Sequence, residues 1–189
     1  MLFLLHLILP SISDNVLRLK CNDCLDILLN VYKTYENAME PSSIRSLVSC
    51  ICLILCKQEL VNDIWESSLV KKSFNLVLSF SMHDSGKVRR YVQDSIQPLL
   101  EYHAKNGFVF SSKQIVRQLD VLCKTFNEED YHETIHYLVF VARICSLIHS
   151  SFYPLFFTTL LKVYCYYEEL ILDSSTSMPY VRLSLFTTY

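Results

Sequence analysis

The strongest catalytic pattern in the sequence is HETIH at residues 132–136, which matches the H-E-x-x-H motif. Two histidines one helical turn apart can bind Zn²⁺, and the glutamate between them can activate a water molecule. The motif alone would therefore indicate a zinc metallopeptidase. Such an enzyme needs a third metal ligand as well, and the extended form of the motif, with a glycine and a further histidine, is absent.

Helical spacing favours a different interpretation of these histidines. Glu129, His132, His136 and Arg143 would share one face of a helix, where the arginine would oppose a bound cation. We interpret the motif as a polar stripe on an otherwise apolar helix. The sequence is also without the phosphate-binding and serine-hydrolase glycine motifs. We therefore expect a protein that is not an enzyme, with no catalytic, cofactor or metal site and no small-molecule substrate.

A second pattern, Cys21-Asn22-Asp23-Cys24, is a C-x-x-C, which could form half of a zinc site or a redox pair. No second C-x-x-C or nearby histidine pair completes such a site. Most of the eight cysteines lie in apolar helical runs, where a thiol packs as a small hydrophobic group. They indicate buried side chains in a reducing intracellular compartment.

Charge restricts the type of partner. The net charge is −2, which does not fit an autonomous nucleic-acid-binding domain, so any RNA contact must be local. Short basic clusters could contact RNA phosphates or acidic protein segments. The candidate residues are Lys71, Lys72, Lys87 and Arg90.

The elements that would position these residues are helices. Hydrophobic residues make up 51% of the chain, whereas two glycines and five prolines provide few of the tight turns that β-sandwiches need. Apolar spacing predicts helices at about 15–37, 44–56, 61–82, 84–103, 112–124, 127–149 and 153–172, with a turn at Asn106-Gly107. We predict one helical-repeat domain over 15–172 and leave both the apolar segment 1–14 and the linker and tail 173–189 unassigned.

Two segments raise the question of a membrane. Residues 1–10 are apolar but have no basic start and no cleavage motif, and they are too short to span a bilayer. The interval between Arg143 and Lys162 contains no formal charge, but its Ser-Ser-Phe-Tyr-Pro cluster indicates a break between two helices. Membrane insertion is the weaker interpretation.

Several of the helices have apolar residues on more than one side, which is typical of helix pairs stacked between neighbours in a solenoid. The segment from Leu78 to Leu99 is similar to a HEAT repeat. We expect Asp84 to cap the second helix, Val88 to face the neighbouring helix and Arg89 to reach a partner in an adjacent repeat. The predicted fold is an all-α, HEAT/armadillo-like solenoid of antiparallel helix pairs.

A more specific likeness extends over roughly residues 40–172. The stretch 71–80, the turn at Asp84, and the segments 87–90 and 93–96 resemble the helical core of the ribosomal RNA processing protein 12-like family, as does the helix containing 134–148. The proline expected before Lys87 is replaced by Ser85-Gly86. The resemblance implies a nuclear and nucleolar scaffold, with pre-ribosomal particle proteins and pre-rRNA as partners in rRNA processing and subunit export. A nuclear-transport or other protein-interaction adaptor on the same scaffold is the alternative.

Overall fold

The chain is built from helices throughout the part that the computed structural model describes, residues 2–124 and 131–162. No strand occurs within these ranges. The helices are α1 (Leu2–Ile8), α2 (Asp14–Leu19), α3 (Cys21–Tyr35), α4 (Pro41–Cys56), α5 (Asn62–Trp65), α6 (Ser68–Phe80), α7 (Gly86–Lys105), α8 (Phe110–Lys124) and α9 (Tyr131–Ile144). Residues 153–162 are helical as well. The predicted all-α HEAT-type fold is confirmed.

Successive helix pairs stack in the manner of helical repeats. The pair α3/α4 packs on the pair α6/α7, with α3 against α6 and α4 against α7. Helix α1 covers the other side of α4, and α8 and α9 pack on each other beyond α7. Because short connections reverse the chain within each pair, α4 and α7 run parallel and both begin at the same end of the stack.

Helix α4 is buried on more than one side because its neighbours cover it on both flanks. Pro41 starts it at a position where no backbone N–H is needed. Its buried residues are Ile44, Ser46, Leu47, Val48, Cys50, Ile51, Cys52, Ile54 and Leu55. Such a distribution explains why the sequence of this helix has no single apolar stripe.

Two helices predicted as continuous are divided in the structure. The region 15–37 breaks at Lys20, between α2 and α3. The region 61–82 breaks after Trp65, and α6 begins anew at Ser68. Ser67 caps α6, since its side-chain oxygen accepts a hydrogen bond from the backbone nitrogen of Val70 at 3.4 Å.

The predicted turn at Asn106-Gly107 joins α7 to α8 with a Schellman motif. Gly107 has a φ of 63°, and its nitrogen donates to the Ala104 carbonyl at 3.1 Å. The nitrogen of Phe108 donates to the His103 carbonyl at 2.9 Å. A left-handed residue is required here, which explains the glycine.

The first residues, unassigned from the sequence, form α1 and a short 3-10 turn that ends the helix at Pro10 and Ser11. The acid-rich stretch 127–130, the second half of the helix predicted at 153–172 and the tail 173–189 lie outside the described residues.

Candidate functional site

The turn between α6 and α7 is held by Arg89. Its Nη1 donates hydrogen bonds to the carbonyl oxygens of His83, at 2.6 Å, and of Asp84, at 2.7 Å. Ser85, not Asp84, is the residue that precedes the first helical residue, so the capping role expected of Asp84 is wrong. Val88 is fully buried, as a residue facing a neighbouring helix must be.

Arg89 also lies close to α9 of the following helix pair. Burial lowers the pKa of His136, and the positive charge of Arg89 lowers it further. A hydrogen bond with the backbone of Met82 acts in the opposite direction. The hydrogen-bond partners of Arg89 are therefore in its own turn, whereas its charge acts across the junction between repeats.

The H-E-x-x-H histidines lie one turn apart on α9, with His136 near the cation of Arg89. The rings of His132 and His136 stack with their centroids 6.4 Å apart, and the cation of Arg89 acts on His136. Within the described ranges, no group of three or more His, Cys, Asp or Glu side chains could hold a metal ion. Arg143, from the same stripe, turns toward α7, where its Nη2 lies 3.7 Å from Asp94 Oδ1. The fourth member of the stripe, Glu129, lies outside the described residues.

The C-x-x-C cysteines lie at the start of α3 as thiols. Cys21 is buried, and burial raises its pKa to about 11. Burial also raises the pKa of the half-buried Cys24. Since the thiolate is the form that binds metals and attacks disulfides, this environment disfavours both reactions.

Lys71 and Lys72 differ in their surroundings. The Lys71 ammonium pairs with Glu66, which also accepts a hydrogen bond from Lys113 of α8 at 2.7 Å. The hydrogen bond from Lys113 has the larger effect and the one from Lys71 the next, and together they lower the pKa of Glu66 to about 2. Lys72 is exposed and lines a groove between α3 and α6. Of these two, only Lys72 has no carboxylate partner among the described residues.

Lys87 and Arg90 are exposed in the first turns of α7, at the opposite end of the α6/α7 pair from Lys71 and Lys72. Helical rise places the two basic pairs roughly 10 Å apart along the helix axes, and Lys71 is already paired with Glu66. The structure therefore does not bring the four candidate contact residues into one site.

A further cation, which the sequence analysis missed, lies in the first part of α4 and contacts α7. Arg45 of α4 stands over the ring of Tyr91, with its guanidinium carbon 5.9 Å from the ring centroid. The Tyr91 hydroxyl is hydrogen-bonded to Ser49 of α4. The only sequence signal was the position of Arg45 between polar residues at helical spacing, and its proximity to α7 depends on how the repeats stack.

A cleft of about 720 Å³ lies between α1, α3, α4 and the start of α7. His6, Tyr35, Arg45 and Tyr91 are among its lining residues. Over the described chain, Arg45, Lys87 and Arg90 have no ion-pair partner, whereas Arg18, Lys57 and Lys113 each pair with a carboxylate. The cleft, with Arg45 in its lining, is the candidate site for a macromolecular partner.

Among the helices described, none has the length and apolar character that crossing a lipid bilayer would require.

Comparison with known proteins identifies similar sequences. The model of the family described as RRP12-like, N-terminal HEAT repeats, matches residues 1–134. An RRP12-like protein of Gallus gallus is 28% identical over 98 residues, which cover 52% of this chain and 7% of the relative. An RRP12-like protein of Homo sapiens is 25% identical over 99 residues, covering 52% of this chain and 8% of the relative. No solved structure matches the chain.

Proposed function

Because the chain belongs to the family of RRP12-like proteins with N-terminal HEAT repeats, we propose that it acts in ribosome biogenesis as a non-catalytic scaffold. In this role it associates with pre-ribosomal particles in the nucleus and nucleolus and assists pre-rRNA processing and subunit export. The family match over residues 1–134 is the observation that carries the proposal. The matched region spans 7–8% of the length of the two relatives, so the complete activity of a family member is part of the proposal.

The geometry supports a binding function in two ways. Stacked helix pairs form an extended surface whose shape depends on packing between neighbours and needs no bound cofactor. On that surface Arg45, Lys87 and Arg90 remain without carboxylate partners in the described part of the chain, and such cations suit an anionic partner. Particle proteins are the first class of partner and pre-rRNA the second.

The test is sedimentation of the tagged full chain from cell extracts. The protein should travel with particles that contain pre-rRNA, detected by hybridisation in the same gradient fractions. Lys87→Glu combined with Arg90→Glu should shift the protein toward the top of the gradient, because both are exposed cations without a carboxylate partner among the described residues. Lys33→Glu combined with Lys105→Glu is the control, since it makes the same change in net charge at exposed positions elsewhere.

Wild-type protein that is confined to the cytosol and free of pre-rRNA would contradict the proposal. Affinity purification followed by mass spectrometry separates it from the alternative of a nuclear-transport or other adaptor. Recovery of transport factors without particle proteins would favour the adaptor.

A further inference from the structure

The helix pairs α3/α4 and α6/α7 repeat with a period of 45 residues. Helices α4 and α7 begin 45 positions apart, and four buried positions of α4 recur at this interval in α7. They are Leu47 and Val92, Ile51 and Ile96, Ile54 and Leu99, and Leu55 and Leu100. The same interval relates the buried Leu25, Leu28 and Leu29 of α3 to Val70, Ser73 and Phe74 of α6. Residues 45 positions apart therefore lie side by side on neighbouring parallel helices.

This period places two asparagines next to each other in one groove. Asn30 of α3 and Asn75 of α6 are exposed, and both line the groove of about 540 Å³ between these helices. Asn30 donates a hydrogen bond to Asp26 Oδ2 at 3.1 Å, which leaves its amide oxygen free. Among the described residues, the Asn75 amide has no hydrogen-bond partner. Each amide thus offers groups that can pair with the N–H or C=O of a peptide unit.

The charges around the groove cancel. Its charged lining residues are two acids and two lysines, Asp26, Glu36, Lys33 and Lys72. The carboxylates repel the phosphates of a nucleic acid, and no excess of positive charge attracts an acidic segment. Leu29, Leu76 and the ring of Tyr32 add apolar surface to the lining. Neutral amides on a partly apolar surface suit a polypeptide chain of low net charge.

The spacing of the two asparagines selects one extended conformation. Packed helices lie about 8–10 Å apart, so Asn30 and Asn75 are separated by about that distance. In a polyproline II helix three residues advance about 9 Å and complete one turn, so that every third peptide unit points in the same direction. In a β-strand, equivalent units recur at about 6.6 Å or 13 Å, which does not match. The backbone groups of polyproline II make no internal hydrogen bonds and can therefore bind the two amides.

We propose that the groove between α3 and α6 binds an extended, proline-containing segment of a protein partner. Peptide units of that segment, three residues apart, hydrogen-bond to Asn30 and Asn75, and its apolar side chains pack on Leu29 and Leu76. The segment carries little net charge and lies in the polyproline II conformation. The inference rests on the proposed scaffold function and specifies a partner segment that binds at a surface separate from the cleft beside Arg45.

Fluorescence anisotropy with the purified full chain tests this inference. The probe is a labelled peptide of three Pro-Leu-Ser repeats with blocked ends. We expect saturable binding, weakened about fivefold by either Asn30→Ala or Asn75→Ala, since each removes a hydrogen-bonding amide. Asn22→Ala, an exposed position of α3 outside the groove, is the matched control and should bind as the wild type does. Circular dichroism verifies that each variant is folded.

The contribution of charge is tested with Lys33→Glu. Because the peptide is neutral, this variant should bind it within about twofold of the wild-type affinity. Single-stranded oligouridine and a peptide with aspartate in place of each serine should bind more weakly than the neutral peptide. Tighter binding of either anionic probe would overturn the inference, and so would a lack of saturable binding by the neutral peptide.

A second peptide tests recognition of the main chain. It carries the 2-hydroxy acid analogue of leucine at each leucine position, which replaces the amide N–H with an ester oxygen and adds no bulk. Its binding should be at least fivefold weaker, because the ester oxygen cannot donate a hydrogen bond. Equal binding of the two peptides, or wild-type affinity in both asparagine variants, would show that the amides do not bind the main chain.

The location is tested with a photocrosslinking residue. p-Benzoylphenylalanine in place of Ser79, which lines the groove, should crosslink to the neutral peptide. The same residue in place of Glu101, an exposed position of α7, should not. Equal crosslinking at the two positions would place the peptide elsewhere. If the peptide fails to bind while the chain still sediments with pre-ribosomes, the groove inference alone is wrong.

Discussion

At the scale of single residues, the contacts of Arg89 and His103 depend on how the helices stack. Arg89 donates hydrogen bonds to two backbone carbonyls in the α6–α7 turn, and its positive charge lowers the pKa of His136 in the next helix pair. His103 has one ring nitrogen bonded to Ser111 and its ring against Trp65, with centroids 4.4 Å apart. These contacts link the turns of the solenoid to its core.

Replacing Arg89 with methionine should lower the free energy of unfolding by about 1–2 kcal/mol, because the carbonyls of His83 and Asp84 lose a charged donor. The pKa of His136 should rise, since the nearby positive charge is gone. Urea unfolding and NMR titration measure the two effects. Arg90→Met is the matched control, and its stability should remain within about 0.5 kcal/mol of the wild type. An equal loss in both variants would contradict the role of Arg89.

His103 should make the fold sensitive to acid. Burial lowers its pKa from 6.5 to about 4, so between these values the unfolded chain binds a proton that the folded chain does not. Stability from this residue is complete above pH 6.5 and falls as the pH is lowered toward 4, by on the order of 3 kcal/mol.

The measurement for His103 is the free energy of unfolding against pH for the wild type and for His103→Phe. The wild-type curve should be steeper between pH 6.5 and 4, whereas His136, whose pKa is also lowered, contributes equally to both curves. Parallel curves would show that folding does not lower the pKa of His103.

At the scale of helices and turns, Gly107 ends α7 in a left-handed conformation. Gly107→Ala should lower the free energy of unfolding by about 1 kcal/mol from backbone strain alone, because no atom of the described residues lies within 4 Å of the added Cβ. Gly86→Ala should be neutral or slightly stabilising, since Gly86 is already helical and its Cβ would meet only Arg89 Nη2 at 3.5 Å. Thermal unfolding of both variants tests this difference. A similar fall in melting temperature for the two variants would contradict it.

The sequence predicted most helices and the α6–α7 and α7–α8 turns, because polar breaks and glycines interrupt the apolar pattern there. It missed the break between Trp65 and Ser68, since apolar spacing continues through the region. The Trp65 indole donates to the Glu59 carbonyl at 2.9 Å and fixes α5 separately from α6. The approach of Arg89 to His136 and of Arg45 to Tyr91 could not be predicted, because both depend on stacking between segments distant in the chain.

At the scale of the whole molecule, exposed ion pairs connect successive parts of the stack. Lys57 at the end of α4 lies 2.9 Å from Asp14 of α2, and Glu66 joins α6 to α8 through Lys71 and Lys113. Each pair is partly exposed and therefore contributes little to stability. Their effect is to favour one register of packing between neighbouring helices.

Glu66→Gln should lower the free energy of unfolding by about 0.5–1 kcal/mol at low salt and by less at high salt, because two screened ion pairs are lost. Glu101→Gln is the control, since within the described part of the chain Glu101 accepts a hydrogen bond only from Gln97 of its own helix. Thermal unfolding at low and high ionic strength compares them. A salt-independent loss at Glu66 would indicate that packing, and not charge, is responsible.

Because α4 is buried, the reactivity of its cysteines measures how often the helix separates from its neighbours. Cys50 and Cys52 are buried among neighbouring repeats, and burial raises the pKa of Cys50 to about 11 and that of Cys52 further still. An alkylating reagent reacts with the thiolate, so both side chains are protected while the helices remain stacked. Their rate of alkylation therefore reports how often α4 separates from its neighbours, in the same way that hydrogen exchange reports the opening of backbone amides.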